Sequence, residues 1–375
     1  MSERFEYTGG TLRLRRYPHR PNTPLQAWDA ADQYLLNTLA DAAINHVHPL
    51  IISDGFGALA LALKERHPTL VSDSHLTHRG VRENQALNPE TSQPISILSP
   101  LSDWPHNPGV VLIKIPKQLA YLEFILQRLR PLVGPDTPIF AGGMVKHLSR
   151  NTRAILEKNL GSATPSRAWK KARIYRVRKD PSLAEPSSRH RASYQIENPT
   201  VTLADYPNVF SRGKLDGGTR LLLKHLPGCE GVCIDLGCGN GLLGIAMALR
   251  SQTALVRFVD VSHLALASAE ANWRENGLPQ DRAEFLPNNG LDHMSENSAE
   301  LILCNPPFHQ GQAVSDDTAW HMLNQSAKVL KPGGHLWVVG NRHLGYHRQL
   351  KRIFGGYTHI EADRRFVVLR SQKKA

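Results

Sequence analysis

Val232-Cys233-Ile234-Asp235-Leu236-Gly237-Cys238-Gly239-Asn240-Gly241-Leu242 decides how the rest of this 375-residue chain is read. An apolar run closes on an acidic residue, glycines follow at alternate positions, and residues 242–248 are helix formers. The stretch therefore reads as strand, tight turn, helix. Glycines let the backbone turn sharply and leave no Cβ between the loop and a ligand lying against it. The spacing is G-x-G-x-G, not the dinucleotide pattern G-x-G-x-x-G, and Asp235 just before the loop would repel a pyrophosphate. A cationic or neutral nucleoside fits better.

Two further strands close on functional groups. Val256-Arg257-Phe258-Val259-Asp260 ends in a carboxylate at the separation where an acidic residue meets ribose hydroxyls in open α/β sheets. Leu301-Ile302-Leu303-Cys304 runs into Asn305-Pro306-Pro307-Phe308-His309-Gln310. Three strand ends thus place functional groups on one sheet edge. The combination resembles the class I S-adenosylmethionine-dependent methyltransferases, in which Asn-Pro-Pro-Phe marks the branch that methylates exocyclic or amide nitrogens. The resemblance implies S-adenosylmethionine as cofactor, held by Asp235, Gly237, Cys238, Gly239, Asn240, Asp260 and Val261. It also implies a lead-in segment that closes over the cofactor, with Phe210, Ser211 and Asp216, and a polar group, Asn289, against the adenine. From residue type alone, the turn at Asn289 reads equally well as one without a ligand, and Asp216 as a helix cap.

Methyl transfer from a sulfonium is an in-line displacement, so the protein must align the nucleophile and need not supply a metal. An aromatic amine is a poor nucleophile because its lone pair is delocalised. If Asn305 Oδ1 and the Pro306 carbonyl accept its two hydrogens, the lone pair turns toward the methyl group, while Phe308 stacks on the base. Pro306 and Pro307 keep this backbone extended and its carbonyls free. His309 reads as a phosphate contact before it reads as a base.

The composition bounds the partners. With 45 Lys+Arg against 33 Asp+Glu, the formal charge of +12 gives the molecule a field that attracts polyanions, nucleic acid first. No leader pattern opens the chain and no apolar run approaches membrane-spanning length, which predicts a soluble cytoplasmic protein. Cys229, Cys233, Cys238 and Cys304 lack C-x-x-C spacing and read as free thiols, not metal ligands.

The first half repeats the second. Pro49-Leu50-Ile51-Ile52-Ser53-Asp54-Gly55-Phe56-Gly57 is again strand, Asp and glycine turn, which sets Asp54 against Asp235. Leu70-Val71-Ser72-Asp73 answers to Phe258-Val259-Asp260, and Val81-Arg82-Glu83-Asn84 to Trp273-Arg274-Glu275-Asn276. Val110 to Lys117 answers to Leu301 to Pro307, which puts Ile115 at Asn305 and Lys117 at Pro307. The offset stays at about 190 positions along the chain, an internal duplication. The expected fold is therefore α/β: two tandem Rossmann-like class I methyltransferase domains, each a mostly parallel sheet with flanking helices and a closing antiparallel hairpin. The expected boundaries are 1–180 for a degenerate copy serving substrate binding or positioning, 181–195 for a basic Pro/Ser-rich linker, and 196–375 for the catalytic copy.

Smaller features complete the reading. The first two dozen residues read as a frayed or strand-like basic lead-in, and residues 26–39 have helical spacing. Arg167, Trp169, Lys170, Lys171 and Arg173 interleave cations with an aromatic ring, which suits single-stranded RNA; they read equally as a terminal strand with a basic face.

A degenerate copy followed by an active copy with Asn-Pro-Pro-Phe-His is similar to the bacterial rRNA guanine-N2 methyltransferases. The words at residues 24–32, 108–114, 168–173, 208–212 and 308–310 look like the large-subunit branch of that family. The resemblance covers nearly the whole chain. It implies transfer to N2 of a guanine in 23S rRNA, at position 1835, on protein-free RNA or an early assembly intermediate. The alternatives are the small-subunit guanine branch, adenine-N6 or protein-glutamine enzymes, and an RNA-binding protein that has lost catalysis.

Overall fold

A computed structural model describes residues 3–19, 25–45, 47–89, 94–184, 190–197, 199–307 and 313–374. Phe308 and His309, expected at the site, lie outside the described residues. The chain divides into two compact units, Met1–His190 and Arg191–Ala375.

The first unit opens with a hairpin, β1 (Arg4–Tyr7) and β2 (Gly10–Arg13), whose Phe5 and Leu12 are buried together with Leu14. The segment read as a frayed or strand-like lead-in is thus a strand pair that belongs to the core. Then follow α1 (Ala30–Asp41), β3 (Leu50–Ile52), α2 (Ala58–Ala62), β4 (Thr69–Val71), α3 (His75–Ala86) and β5 (Ser96–Leu98). The unit ends with β6 (Val111–Lys114), α4 (Leu119–Leu129), β7 (Ile139–Met144), α5 (Thr152–Asn159), β8 (Ala163–Pro165) and β9 (Ala172–Val177). The seven strands order as β5-β4-β3-β6-β7-β9-β8, parallel from β5 to β7 and antiparallel at β9 and β8. Helix α1 starts later than its apolar spacing suggests. Asp29 accepts from Ala31 N and Asp32 accepts from Asp29 N, a capping box that fixes the first turn at Ala30.

The second unit repeats this plan. The hairpin is β10 (Ala192–Glu197) and β11 (Thr200–Asp205), followed by α6 (Gly217–Leu223), β12 (Val232–Leu236), α7 (Leu242–Arg250), β13 (Leu255–Asp260), α8 (His263–Glu275) and β14 (Ala283–Pro287). After these come β15 (Ala299–Cys304), α9 (Ala313–Val329), β16 (Leu330–Asn341), α10 (Tyr346–Phe354), β17 (Thr358–Ala362) and β18 (Phe366–Gln372). The order β14-β13-β12-β15-β16-β18-β17 matches the first unit strand for strand, with the same antiparallel closing pair. Apolar strands such as β12, buried at Cys233, Ile234 and Leu236, take helices on both faces. Residues 192–195, expected in a linker, are instead strand, because Tyr194 and Ile196 alternate inward against Val201 and Leu203.

In each unit the hairpin is clamped by two asparagines, one in the last turn of the third helix and one just past its end. Asn84 exchanges bonds with Arg15 N and O and donates to Phe56 O, while Asn88 does the same with Arg13. Asn272 accepts from Ala204 N and donates to Asn240 O, while Asn276 pairs with Thr202 N and O. Asn84 therefore corresponds to Asn272 and Asn88 to Asn276, which corrects the pairing of Asn84 with Asn276. Adjacent asparagines one turn apart made the sequence match slip.

Candidate active site

Strands β12, β13 and β15 run parallel and end at one edge of the second sheet. The backbone turns there through Gly237 (φ +70°), Gly239 (φ +55°) and Gly241 (φ +82°), conformations that only glycine adopts freely. Gly237 N and Cys238 N bond Val259 O at 2.8 and 3.1 Å. Asp260 ties the loop to α8: Oδ2 accepts from Gly239 N at 3.0 Å and Oδ1 from Ser262 N at 2.9 Å. Asp235 lies beneath, its Oδ2 accepting from Gly244 N at 2.8 Å in the first turn of α7. Burial pushes its carboxyl up from 3.8 to about 8, with the nearby Asp260 charge adding to the rise.

A cavity opens over this loop. Its walls include Asp235, Gly237, Cys238, Gly239 and Asn240 from the loop, Phe210, Ser211 and Asp216 from the lead-in segment, and Asn305 from the end of β15. Tyr194, Lys214, Leu215, Thr219, Leu242 and Leu243 line it too, and the sequence reading missed them. Tyr194 comes from β10: its hydroxyl accepts from Asn240 Nδ2 at 2.8 Å, and Asp205 Oδ1 accepts from the same amide at 3.0 Å. Burial raises both the Asp205 carboxyl and the Tyr194 phenol. Asp205 Oδ2 also takes Gly213 N at 2.8 Å, which pins the lead-in segment to the hairpin. Alternation of apolar residues in 192–197 and 200–205 was the available signal for Tyr194, obscured by the Pro/Ser-rich run just before it.

Asn305 carries a polar group into this cavity. Its Nδ2 donates to Asp216 Oδ2 at 3.1 Å and Thr219 Oγ1 at 3.0 Å, whereas Oδ1 is buried with no partner among the described residues. Asp216 caps α6, accepting from Thr219 N at 3.0 Å. Next in the chain, Pro306 is buried and Pro307 exposed. Three expected cofactor residues do not line the cavity: Asp260 and Val261 sit at the end of β13, and Asn289 donates to Asp292 Oδ2 at 2.8 Å. Asn289 is held in a polar cluster with His321, Asp292 and Gln325.

These residues fit an adenosyl sulfonium. A Cβ added at Gly239 would meet no atom within 4 Å, so the loop leaves open space on its cavity side. The walls mix apolar surface (Leu215, Leu242, Leu243) with the Asp216 carboxylate, suited to a cationic ligand. All four cysteines are unpaired and buried.

The first unit has the same edge with different residues. Ile52 pairs with Val71 as Leu236 pairs with Val259, and Ser53 N bonds Val71 O as Gly237 N bonds Val259 O. Register therefore places Ser53 at Gly237, Asp54 at Cys238, Phe56 at Asn240, and Gly57 at Gly241. Asp54 does not stand at Asp235 as the sequence match suggested. Its carboxylate nonetheless serves the same helix start, accepting from the N–H groups of Gly57, Ala58, Leu59 and Ala60. Ser72, not Asp73, takes the place of Asp260. On β6 the register puts Lys114 at Asn305, in place of Ile115, and Ile115 at Pro306. Lys114 Nζ lies 2.7 Å from Asp29 Oδ1 and 2.8 Å from Asp32 Oδ1, residues at the positions of Asp216 and Thr219. Burial pulls its ammonium down, and the two carboxylates more than offset this, holding it above its ordinary range. A fixed ion-paired ammonium thus takes the place of Asn305, and the Phe56 ring, with Arg16 4.8 Å over it, takes the place of Asn240.

Arg167, Lys170 and Lys171 are exposed between β8 and β9. The Arg167 carbonyl accepts from Tyr34 Oη at 3.0 Å, Trp169 packs 5.6 Å from Tyr34, and Lys170 lies 4.5 Å over the Trp169 ring. Arg173 lies within β9, half-buried, its Nε without a partner among the described residues.

Comparison with known proteins agrees with this two-unit plan. Residues 2–181 match the family described as RLMG N-terminal domain, and residues 200–370 match the methyltransferase small domain. The ribosomal RNA large subunit methyltransferase G of Aeromonas salmonicida is 42% identical over 367 residues, covering 97% of either chain. The protein of the same name from Klebsiella pneumoniae is 44% identical over 375 residues, covering 98% of either. Among solved structures, the T. thermophilus 16S rRNA N2 G1207 methyltransferase, in complex with AdoMet and guanosine, superposes with a TM-score of 0.76 over the full length of both chains, at 20% identity.

Proposed function

Because this chain belongs to the ribosomal RNA large subunit methyltransferase G family, we propose that it transfers the methyl group of S-adenosylmethionine to N2 of a guanine in 23S rRNA. The guanine is the one at position 1835, and the substrate is protein-free RNA or an early assembly intermediate in the cytoplasm. No helix among the described residues is long and apolar enough to cross a membrane. The observation that carries the reading is Asn305 Oδ1: a buried acceptor without a donor among the described residues, lining the same cavity as the glycine loop.

When bound, the cofactor supplies an electrophilic methyl group on a sulfonium. Gly237, Gly239 and Asn240 would hold it from the loop side, and Tyr194 with the lead-in residues Phe210, Ser211 and Asp216 would limit its contact with water. Asp260 holds the loop through Gly239 N and does so from behind the cavity. Asn305 Oδ1 accepts one hydrogen of the exocyclic amine and the Pro306 carbonyl the other, which turns the nitrogen lone pair toward the methyl group. For Phe308 and His309, which lie outside the described residues, the family resemblance implies stacking on the guanine ring and a phosphate contact. Arg167, Lys170 and Lys171 of the first unit contact RNA phosphates, with Trp169 available for a base; half-buried Arg173 braces that surface. The first unit positions RNA and carries no transfer, since Lys114 presents only donors where the second unit presents an acceptor.

The test is incubation with tritiated S-adenosylmethionine and protein-free 23S or 16S rRNA, then mapping of the labelled nucleotide. N2-methylguanine in 23S rRNA is expected. Label only in 16S rRNA, or on another atom, would overturn the assignment.

A further inference from the structure

We propose that Thr219, acting with the Asp216 carboxylate, is a positioning residue that locks the Asn305 amide with its oxygen toward the acceptor site, so that the site admits only a hydrogen-bond donor there. This rests on the methyl-transfer reading above and adds to it the device that selects an amine over a carbonyl edge.

A carboxylate accepts and never donates, so the end of the Asn305 amide facing Asp216 Oδ2 at 3.1 Å must be the NH2. Thr219 Oγ1 takes the second hydrogen at 3.0 Å. The hydroxyl's own hydrogen is directed at Asp216 Oδ2, 3.4 Å away, which leaves its lone pair for Asn305. Thr219 N donates to the same carboxylate oxygen at 3.0 Å, fixing the helix turn that carries the hydroxyl. Every hydrogen of the cluster is committed to an acceptor, and Asn305 Oδ1 is left buried without a partner among the described residues. A buried carbonyl left unpaired is unfavourable, so a donor entering the site is drawn to it. An exocyclic amine satisfies it. A ring carbonyl oxygen brought to the same point would set lone pair against lone pair, which keeps guanine O6 out and leaves its N2 edge as the fit.

The first unit provides an independent instance of the same coupling. Its strand-end residue Lys114 is held by Asp29 and Asp32, the N-cap residue and the third residue of α1, as Asn305 is held by Asp216 and Thr219 of α6. In both units the first turn of the preceding helix dictates what the strand end presents. Threonine beside asparagine presents an acceptor; aspartate beside lysine consumes the charge and presents none.

The experiment uses the full chain with Thr219→Val, Thr219→Ser and Asp216→Asn. Single-turnover methyl transfer to protein-free 23S rRNA is measured at saturating cofactor, alongside the cofactor Kd by calorimetry. Thr219→Val is expected to lower the transfer rate about 10–100-fold, the loss of one aligned hydrogen bond. Its cofactor Kd should stay within about threefold, and Thr219→Ser should recover the rate to within about threefold. If the valine variant does not fold, Asp216→Asn reads the same point, because an amide at 216 lets the Asn305 amide turn over; it should show a slowed single-turnover rate at cofactor concentrations that saturate that variant. A wild-type rate in Thr219→Val or in Asp216→Asn overturns the proposal, as does a serine variant as slow as valine or a rate that falls only in step with cofactor affinity. A wild-type protein that methylates no RNA would instead sink the functional reading.

Discussion

Replacing Asn272 with alanine should unfasten the second unit and weaken its cofactor site together. Asn272 is fully buried, accepts from Ala204 N at 2.8 Å and Arg191 Nη2 at 3.0 Å, and donates to Asn240 O at 3.0 Å. Truncation leaves two buried backbone groups unpaired at about 1–3 kcal/mol each, so a loss of roughly 3–4 kcal/mol is expected. For a unit of this size that lowers the melting midpoint by roughly 6–15 °C. Because Asn240 lines the cavity and Ala204 belongs to the hairpin that carries Tyr194, the cofactor Kd should rise about tenfold. Asn84→Ala removes the equivalent clamp from the first unit and should destabilise that unit similarly while leaving the cofactor Kd unchanged. Calorimetry provides both readouts, as thermal transitions and as cofactor titrations. An Asn272→Ala protein with wild-type midpoint and Kd would refute the reasoning, and so would cofactor binding lost equally in Asn84→Ala.

Other expectations follow from single groups. Asp235 has its carboxyl raised from 3.8 to about 8 by burial, so the stability it contributes is fully present below about 3.8 and is lost as pH rises through about 8. The melting midpoint of the second unit should therefore fall relative to that of Asp235→Asn as pH climbs across this window, and parallel curves for the two proteins would contradict the shift. Replacing Lys170 and Lys171 with alanine should lower the slope of log affinity for RNA against log salt by roughly 1–2, while cofactor binding stays unchanged. An unaltered slope would remove these cations from the RNA surface.

Much of this architecture is legible in the sequence because glycine and strand-end residues mark backbone events that allow few substitutes. The three alternating glycines announce the turn at Gly237, and apolar runs closing on Asp260 and Asn305 announce parallel strands sharing an edge. Pairings between the two halves were harder to read where side chains changed roles. Asp54 and Asp235 serve the same helix start from different positions, so matching Asp to Asp displaced the alignment by three residues. Matching Asn84 to Asn276 displaced it by one helical turn, since each helix carries one asparagine and is followed by a second four residues later. Lys114 shows the same limit: only strand register and its contacts with Asp29 and Asp32 place it at Asn305. Alternation could have placed Tyr194 on a strand, but the site roles of Tyr194 and Thr219 depend on Asn240 and Asn305, far away in the chain.

The central claim is that Asn305 presents the acceptor that aligns the amine, and Asn305→Ala tests it most directly. Methyl transfer to 23S rRNA should be measured with cofactor and RNA binding measured separately on the same protein. The account predicts a rate lower by about 100-fold or more with both affinities near wild type. A variant that binds both ligands and transfers the methyl group at the wild-type rate would contradict it.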